Sequence, residues 1–169
     1  MQQTLIDIFV PGKPAGKKSP KFRRVGKFVS TYADPETVSR EAEVRFYAAT
    51  AYQNGETVRP PYVGAVHIRI EATFPIPTSF SKKKHEAALK HELLPIVTPD
   101  CSNICKLVED AIKGVVIKDD NQVVNITISK RYGTNPGVRM IVVTVESDIE
   151  VQDTVLQADK VTDSIKPSI

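Results

Sequence analysis

Tryptophan is absent from the 169-residue chain, and histidine and cysteine are scarce, at three and two residues. His67, His85 and His91 are scattered, and no second Cys/His pair accompanies the cysteines to complete a zinc site. Cys101 and Cys105 stand four apart at the start of a predicted helix, a spacing with poor disulfide geometry. Reduced thiols partly packed in the core are therefore expected. No apolar run approaches the ~18 residues that span a bilayer. The opening "MQQTLIDIFV" lacks the basic start and long apolar stretch of a secretory signal. A cytoplasmic protein without a disulfide framework, structural zinc or membrane helix is the expectation.

What is present is ordinary in bulk and uneven in placement. Hydrophobic residues make up 41% and charged residues 25%, enough for one domain with a real core. The domain is expected over 1–147, with a polar tail at 148–169 that is weakly ordered or docks a partner. The formal charge is only +3. Yet residues 1–30 carry Lys13, Lys17, Lys18, Lys21, Arg23, Arg24 and Lys27 against one acid, Asp7. A concentrated basic arm on a nearly neutral body points to a polyanion such as nucleic acid. A solvated flexible loop is the structural alternative.

Periodicity places the elements. "TLIDIFV" reads as a strand, and the Pro- and Gly-rich "PGKPAGKKSPKFRR" after it argues against a regular element. "KFVSTY" fits a short strand. "DPETVSREAEVRFYAATAY" predicts a helix capped by Asp34, with Pro35 at its first position and an apolar stripe of Val38, Ala42, Phe46 and Ala49. "AVHIRIEATF" alternates cleanly as a half-buried strand. "SKKKHEAALKHE" predicts a short helix whose first turn holds Lys82, Lys83 and Lys84 against the helix dipole, which an anionic ligand would relieve.

A further helix is predicted over about residues 102–113, with Ile104, Leu107, Val108, Ala111 and Ile112 buried and Gly114 ending it. Asn103, Lys106 and Asp110 share another face. "QVVNITISKRY" alternates as a strand, with Val124, Ile126 and Ile128 on one side. "TNPG" is a turn, and "VRMIVVTVE" is apolar enough for a central return strand. The order gives an α+β domain: one mixed or antiparallel sheet with about three helices.

The stretch "TPDCSNICKLVEDAIKGVVIKDDNQVV" concentrates acids. Asp100 precedes a helix, and Asp119 and Asp120 precede a strand, so a helix packed on a sheet can gather them into one pocket. Hard cations such as Mg²⁺ take carboxylate oxygens, waters and substrate phosphates. Lys106, one turn into the helix, could oppose charge building on a phosphate. A structural alternative stays open: Asp100 complements the dipole, Ser102 is a cap, and "KDDNQ" is an exposed turn.

The ordered set "VPGKP", "TYADPE", "FPIPTSFSKKK", "DCSNICK", "KDDNQVV" and "SKRYG" resembles the RusA-type Holliday junction resolvases of bacteria and their phages and prophages, from about residue 5 to residue 146. The family pattern is Asp, any residue, Asp, Asn, then Lys three further on, followed by Asp-Asp and Gln-Val. The resemblance implies a small dimeric, Mg²⁺-dependent endonuclease that cuts four-way DNA junctions by paired incisions, with Mn²⁺ able to substitute. It implies Asp100 and Asp120 as metal-binding catalytic carboxylates with Asp119 beside them, Lys106 as the catalytic lysine, and Asn103 and Asp110 in support. It implies that the basic arm lies along the DNA backbone.

One position departs from the pattern: the family's second aspartate falls on Ser102. A hydroxyl is a neutral, weak ligand, so the pocket loses a charge and a strong donor. Three outcomes follow. Asp119 or Asp110 compensates, the enzyme binds metal weakly and cuts slowly, or the protein holds junctions without cutting. An accessory interaction protein on the same scaffold, docking through its tail, is a further alternative.

Overall fold

The structure is a computed structural model, described here over residues 2–53 and 58–146. The expected tail at 148–169 lies outside these residues. Ten elements are observed. They are β1 (Thr4–Pro11), β2 (Lys21–Val25), β3 (Phe28–Tyr32), α1 (Pro35–Gln53), β4 (Val66–Pro75), α2 (Lys82–Leu89), α3 (Cys101–Ile112), a one-turn 3-10 helix (Asp120–Gln122), β5 (Val123–Gly133) and β6 (Gly137–Thr144).

The alternating strand "VHIRIEATFP" becomes β4, and its inward residues Val66, Ile68, Ile70, Ala72 and Phe74 are all at most 2% exposed. Burying each of the larger ones is worth about 1.5–3 kcal/mol. The main sheet has the order β1-β6-β4-β5. β6 runs antiparallel to both β1 and β4, while β4 and β5 are parallel, so the sheet is mixed. β6 is central, as its apolar content requires. It returns on the far side of β4 rather than against β5, because the turn after Gly133 steps over the end of β4.

α1 and α3 pack against one another, and α1 against β1. Asp34 caps α1 as expected, its Oδ1 accepting from the Glu36 N–H at 3.1 Å. The apolar stripe expected to be buried is not. Val38 and Phe46 are 53% and 67% exposed, whereas Val44, Ala48 and Tyr52 are buried. The helix is apolar on two faces, and contact with α3 and β1 selects the other one.

Three further differences are local. "KFRR" belongs to a strand after all, because β2 pairs with β3 as a two-stranded hairpin. α2 is shorter than expected, with a tight turn after Lys90 in which the Glu92 N–H donates to Ala87 O. Val124 is 60% exposed at the start of the edge strand β5, where the next strand is missing on one side. Cys101 and Cys105 are free thiols, and burial pushes the Cys105 thiol up to about 11. Among the described residues no helix is long and apolar enough to cross a membrane.

Candidate active site

α3 organises the site. Asp100 is its N-cap, with Oδ1 accepting from the Asn103 N–H at 2.8 Å and Oδ2 from the Asn103 side-chain amide at 3.0 Å. Ile104, Leu107, Val108, Ala111 and Ile112 bury the inner face. Lys113 is the C-cap, and Gly114 stops the helix with φ +74, a conformation that side-chain-bearing residues rarely adopt. Ser102, Lys106, Glu109 and Lys113 follow one another at three- and four-residue spacing, and Asp110 lies four after Lys106 and three before Lys113, which puts all five on one outward stripe.

The acid pair arrives from the other side of that stripe. Asp119 caps the 3-10 turn, its side chain accepting from the Asn121 N–H at 3.3 Å. The Gln122 side chain closes a capping box by accepting from the Asp119 N–H at 2.8 Å. The same amide donates to Tyr62 O at 2.9 Å and Gly64 O at 2.8 Å. The turn is thereby pinned to residues 62–64, which themselves pair with the segment after α3 through Tyr62 N–H to Val116 O and Lys118 N–H to Tyr62 O.

This delivers Asp119 and Asp120 to the C-terminal end of α3. Lys113 Nζ lies 3.2 Å from Asp119 Oδ2 and 3.0 Å from Asp120 Oδ1. Asp120 joins Lys17, Lys106, Glu109 and Asp110 in lining a cleft of about 240 Å³. Hydrogen bonding within the Asp119–Asp120 pair, then from the Asn121 N–H and Lys113, holds the Asp119 carboxyl below the usual carboxylate range. Burial, followed by the negative charge of Asp120 and Asp110, pushes Glu109 up. The carboxylates raise the Lys113 ammonium in turn.

Asp100 does not join this cleft. It caps the opposite end of a helix about 18 Å long, with both carboxylate oxygens engaged by Asn103. Among the described residues no group of three or more His, Cys, Asp or Glu side chains is set to hold a metal ion. The donors that are gathered still fit Mg²⁺. They are hard oxygens, and Asp119 and Asp120 are adjacent with side chains 46% and 51% exposed. Mg²⁺ is commonly held by one or two carboxylates, with water and substrate phosphate completing its shell.

The basic arm is not a free loop. Lys17 N–H donates to Asn103 O at 2.8 Å and Lys18 N–H to Thr37 Oγ1 at 3.2 Å. Gly16 lies so close to α3 that an added Cβ would stand 2.7 Å from Pro99 Cβ. Lys17 pairs with Asp110, Lys18 with Asp34 and Glu36, and Lys21 with Asp34 at 2.6 Å. The anchored arm, with Glu36, Thr37 and Arg40 of α1, Asn103 of α3 and Pro99 just before it, walls a groove of about 560 Å³ that also takes in Lys13. Lys17 lines both this groove and the acidic cleft. Arg23 and Arg24 stand exposed on the β2–β3 hairpin, and Lys82, Lys83 and Lys84 are exposed on α2, with Lys84 Nζ over the Phe80 ring.

Sequence reasoning missed Glu109, Lys113, Arg40 and the anchoring amide of Gln122. The first two were within reach, since Glu109 lies three residues after Lys106 on the same stripe and Lys113 extends it by one turn. Arg40 and Gln122 act across the fold, and nothing local announces them.

The chain is 40% identical over 81 residues to "Uncharacterized protein YqaN" of Bacillus subtilis (strain 168), covering 47% of this chain and 57% of that protein. The chain thus spans little more than half of that relative. The family model described as "Endodeoxyribonuclease RusA" matches residues 11–145, from the end of β1 past the end of β6. Since that match takes in the basic arm, α3 and the acid-bearing turn together, the chain belongs to the RusA endodeoxyribonuclease family.

Proposed function

We propose that the protein is a metal-dependent endonuclease that resolves four-way DNA junctions by paired phosphodiester hydrolysis, acting as a homodimer in the cytoplasm of a bacterial cell. The observation that carries this reading is the sharing of Lys17 between the basic groove and the acidic cleft. A DNA strand following the groove is led to the carboxylates. Lys13, Lys17, Lys18 and Arg40 would contact the strand's phosphates, with Lys21, Arg23, Arg24 and Lys82–Lys84 contacting backbone further out. A two-fold dimer suits a two-fold substrate, because each subunit presents one site to one strand.

At the edge of the cleft, Asp120, which lines it, and the adjacent Asp119 would hold Mg²⁺, or Mn²⁺ in its place. Bound there, the ion supplies Lewis-acid polarisation of the scissile phosphate and an acidified water. Lys106 is exposed on the stripe and places positive charge where the phosphate gains negative charge. Asp100 and Asn103 order the N-terminal turn that presents it, and Asn103 O also fixes the arm. Gln122 fixes the turn that carries the acids.

A second reading, junction binding with little or no cleavage, draws on Ser102. It is exposed one turn before Lys106 on the same stripe, where the family pattern has a carboxylate. The test is incubation with a synthetic four-way junction and with a linear duplex of the same sequence, in Mg²⁺ and in Mn²⁺. The endonuclease reading expects nicks symmetric about the crossover; tight, salt-sensitive binding without nicks in either metal favours the second reading. Failure to bind branched DNA at low salt contradicts both.

A further inference from the structure

The residue that meets both acids of the turn is a lysine of α3, and nothing in the family pattern assigns it a role. Lys113 Nζ reaches one oxygen of Asp119 and one of Asp120, 3.2 and 3.0 Å away. The other Asp119 oxygen already accepts from the Asn121 N–H. Both ends of the bridge are fixed at the backbone. The Lys113 N–H donates to Glu109 O at 3.0 Å, and the Asp119 N–H is held by Gln122. What remains free to move is the four-carbon lysine stem, whose side chain is 41% exposed and whose charged end reaches solvent.

A second acid of the site is compensated in the same way. Asp110 is paired with Lys17. Ammonium groups thus stand between these carboxylates and offset their mutual repulsion. A divalent cation drawing on Asp119 Oδ2 and Asp120 Oδ1 competes with Lys113 for them, and the ammonium repels it at contact distance.

From this geometry, and resting on the endonuclease reading above, we propose that Lys113 is the built-in counter-ion of the Asp119–Asp120 pair and is exchanged for the divalent metal when the site loads. It holds the acids side by side in the metal-free protein and lowers their affinity for metal. Loading then swings a freed ammonium outward at the mouth of the cleft.

The test is Mn²⁺ binding by the full chain, measured by titration calorimetry without DNA. Lys113→Met and Lys113→Gln are compared with wild type, with Lys113→Arg, and with Lys90→Met, which removes a positive charge from the exposed end of α2. Removing a unit positive charge from contact distance of a doubly charged ion should tighten Mn²⁺ binding about tenfold after solvent screening. Lys113→Arg and Lys90→Met should stay near wild type. In chelator, Lys113→Met and Lys113→Gln should melt slightly below wild type, and added Mn²⁺ should raise their melting temperature more than it raises that of wild type.

Equal affinities for wild type, Lys113→Met and Lys113→Gln overturn the exchange and leave the endonuclease reading standing. Weaker binding by these variants overturns it too, since Lys113 would then support the ion. If neither wild type nor the variants take up Mn²⁺ at millimolar concentration, the metal-dependent reading fails, and the exchange fails with it.

Discussion

Replacing Gln122 with alanine removes three hydrogen bonds made by one side-chain amide, and their cost can be worked bond by bond. Tyr62 O loses the donor at 2.9 Å but keeps the Lys118 N–H at 3.0 Å, so little is lost there. Gly64 O loses its donor at 2.8 Å, and the Asp119 N–H loses its acceptor at 2.8 Å. A neutral hydrogen bond contributes about 1 kcal/mol net, and a half-buried group left without a partner costs more. The expected destabilisation is therefore about 2–3 kcal/mol. For a domain of this size that corresponds to a fall of about 5–10 °C in Tm. Urea unfolding followed by circular dichroism gives the free energy, and an unchanged m-value keeps the comparison valid. Hydrogen exchange at the Asp119 amide should accelerate more than exchange in β4. Because the turn carries both acids, junction cleavage should fall further than junction binding. A loss under about 0.5 kcal/mol, with Asp119 exchange unchanged, would show that water replaces the amide and that Gln122 does not hold the turn.

Three other perturbations follow from the same coordinates. Gly16→Ala puts a Cβ 2.7 Å from Pro99 Cβ and 2.9 Å from Asn103 Cβ; overpacking of this kind costs about 1–3 kcal/mol. It should also weaken junction binding in gel shifts by displacing Lys17 and Lys18; unaltered affinity would mean that the arm does not set the groove. The Arg139 guanidinium, bonded to both Asp7 oxygens, holds the Asp7 carboxyl below its ordinary value. Its contribution is therefore present above the unfolded pKa and is lost as pH falls through the folded one. Asp7→Asn should cost no more than about 1 kcal/mol at pH 7, because the pair is half exposed, and the difference should vanish in acid. A difference that instead grew below pH 4 would contradict the assignment. Ser102→Asp should raise both Mn²⁺ affinity and cleavage rate, and a rise in neither would remove Ser102 as the weak point of the site.

The legibility of this chain varied with how local the determining physics is. β4 and α3 were readable because burial imposes a period of two on one and 3.6 on the other, and both sequences keep it. The α1 stripe was misread because Val38–Phe46 and Val44–Tyr52 satisfy the same helical spacing, and only the neighbours decide which is covered. The Pro- and Gly-rich arm concealed β2, since a two-stranded hairpin needs only its cross-strand partner. In the site, the order of acids and lysines along the chain was plain, but their grouping was not. Asp100 and the Asp119–Asp120 pair flank one helix, and helix length separates its ends rather than joining them. Lys113 follows Lys106 on a single stripe, so its place was implicit. The Gln122 amide, by contrast, is tied to residues some sixty positions earlier.

The central claim is that Asp120, beside Lys106 in the cleft, serves cutting rather than holding. Cleavage of a synthetic four-way junction in Mg²⁺ or Mn²⁺, run in parallel for wild type and Asp120→Asn with binding measured on the same junction, tests it most directly. Wild type should make paired nicks and Asp120→Asn none, with nearly equal affinities for the junction. Undiminished cutting by Asp120→Asn would contradict the claim.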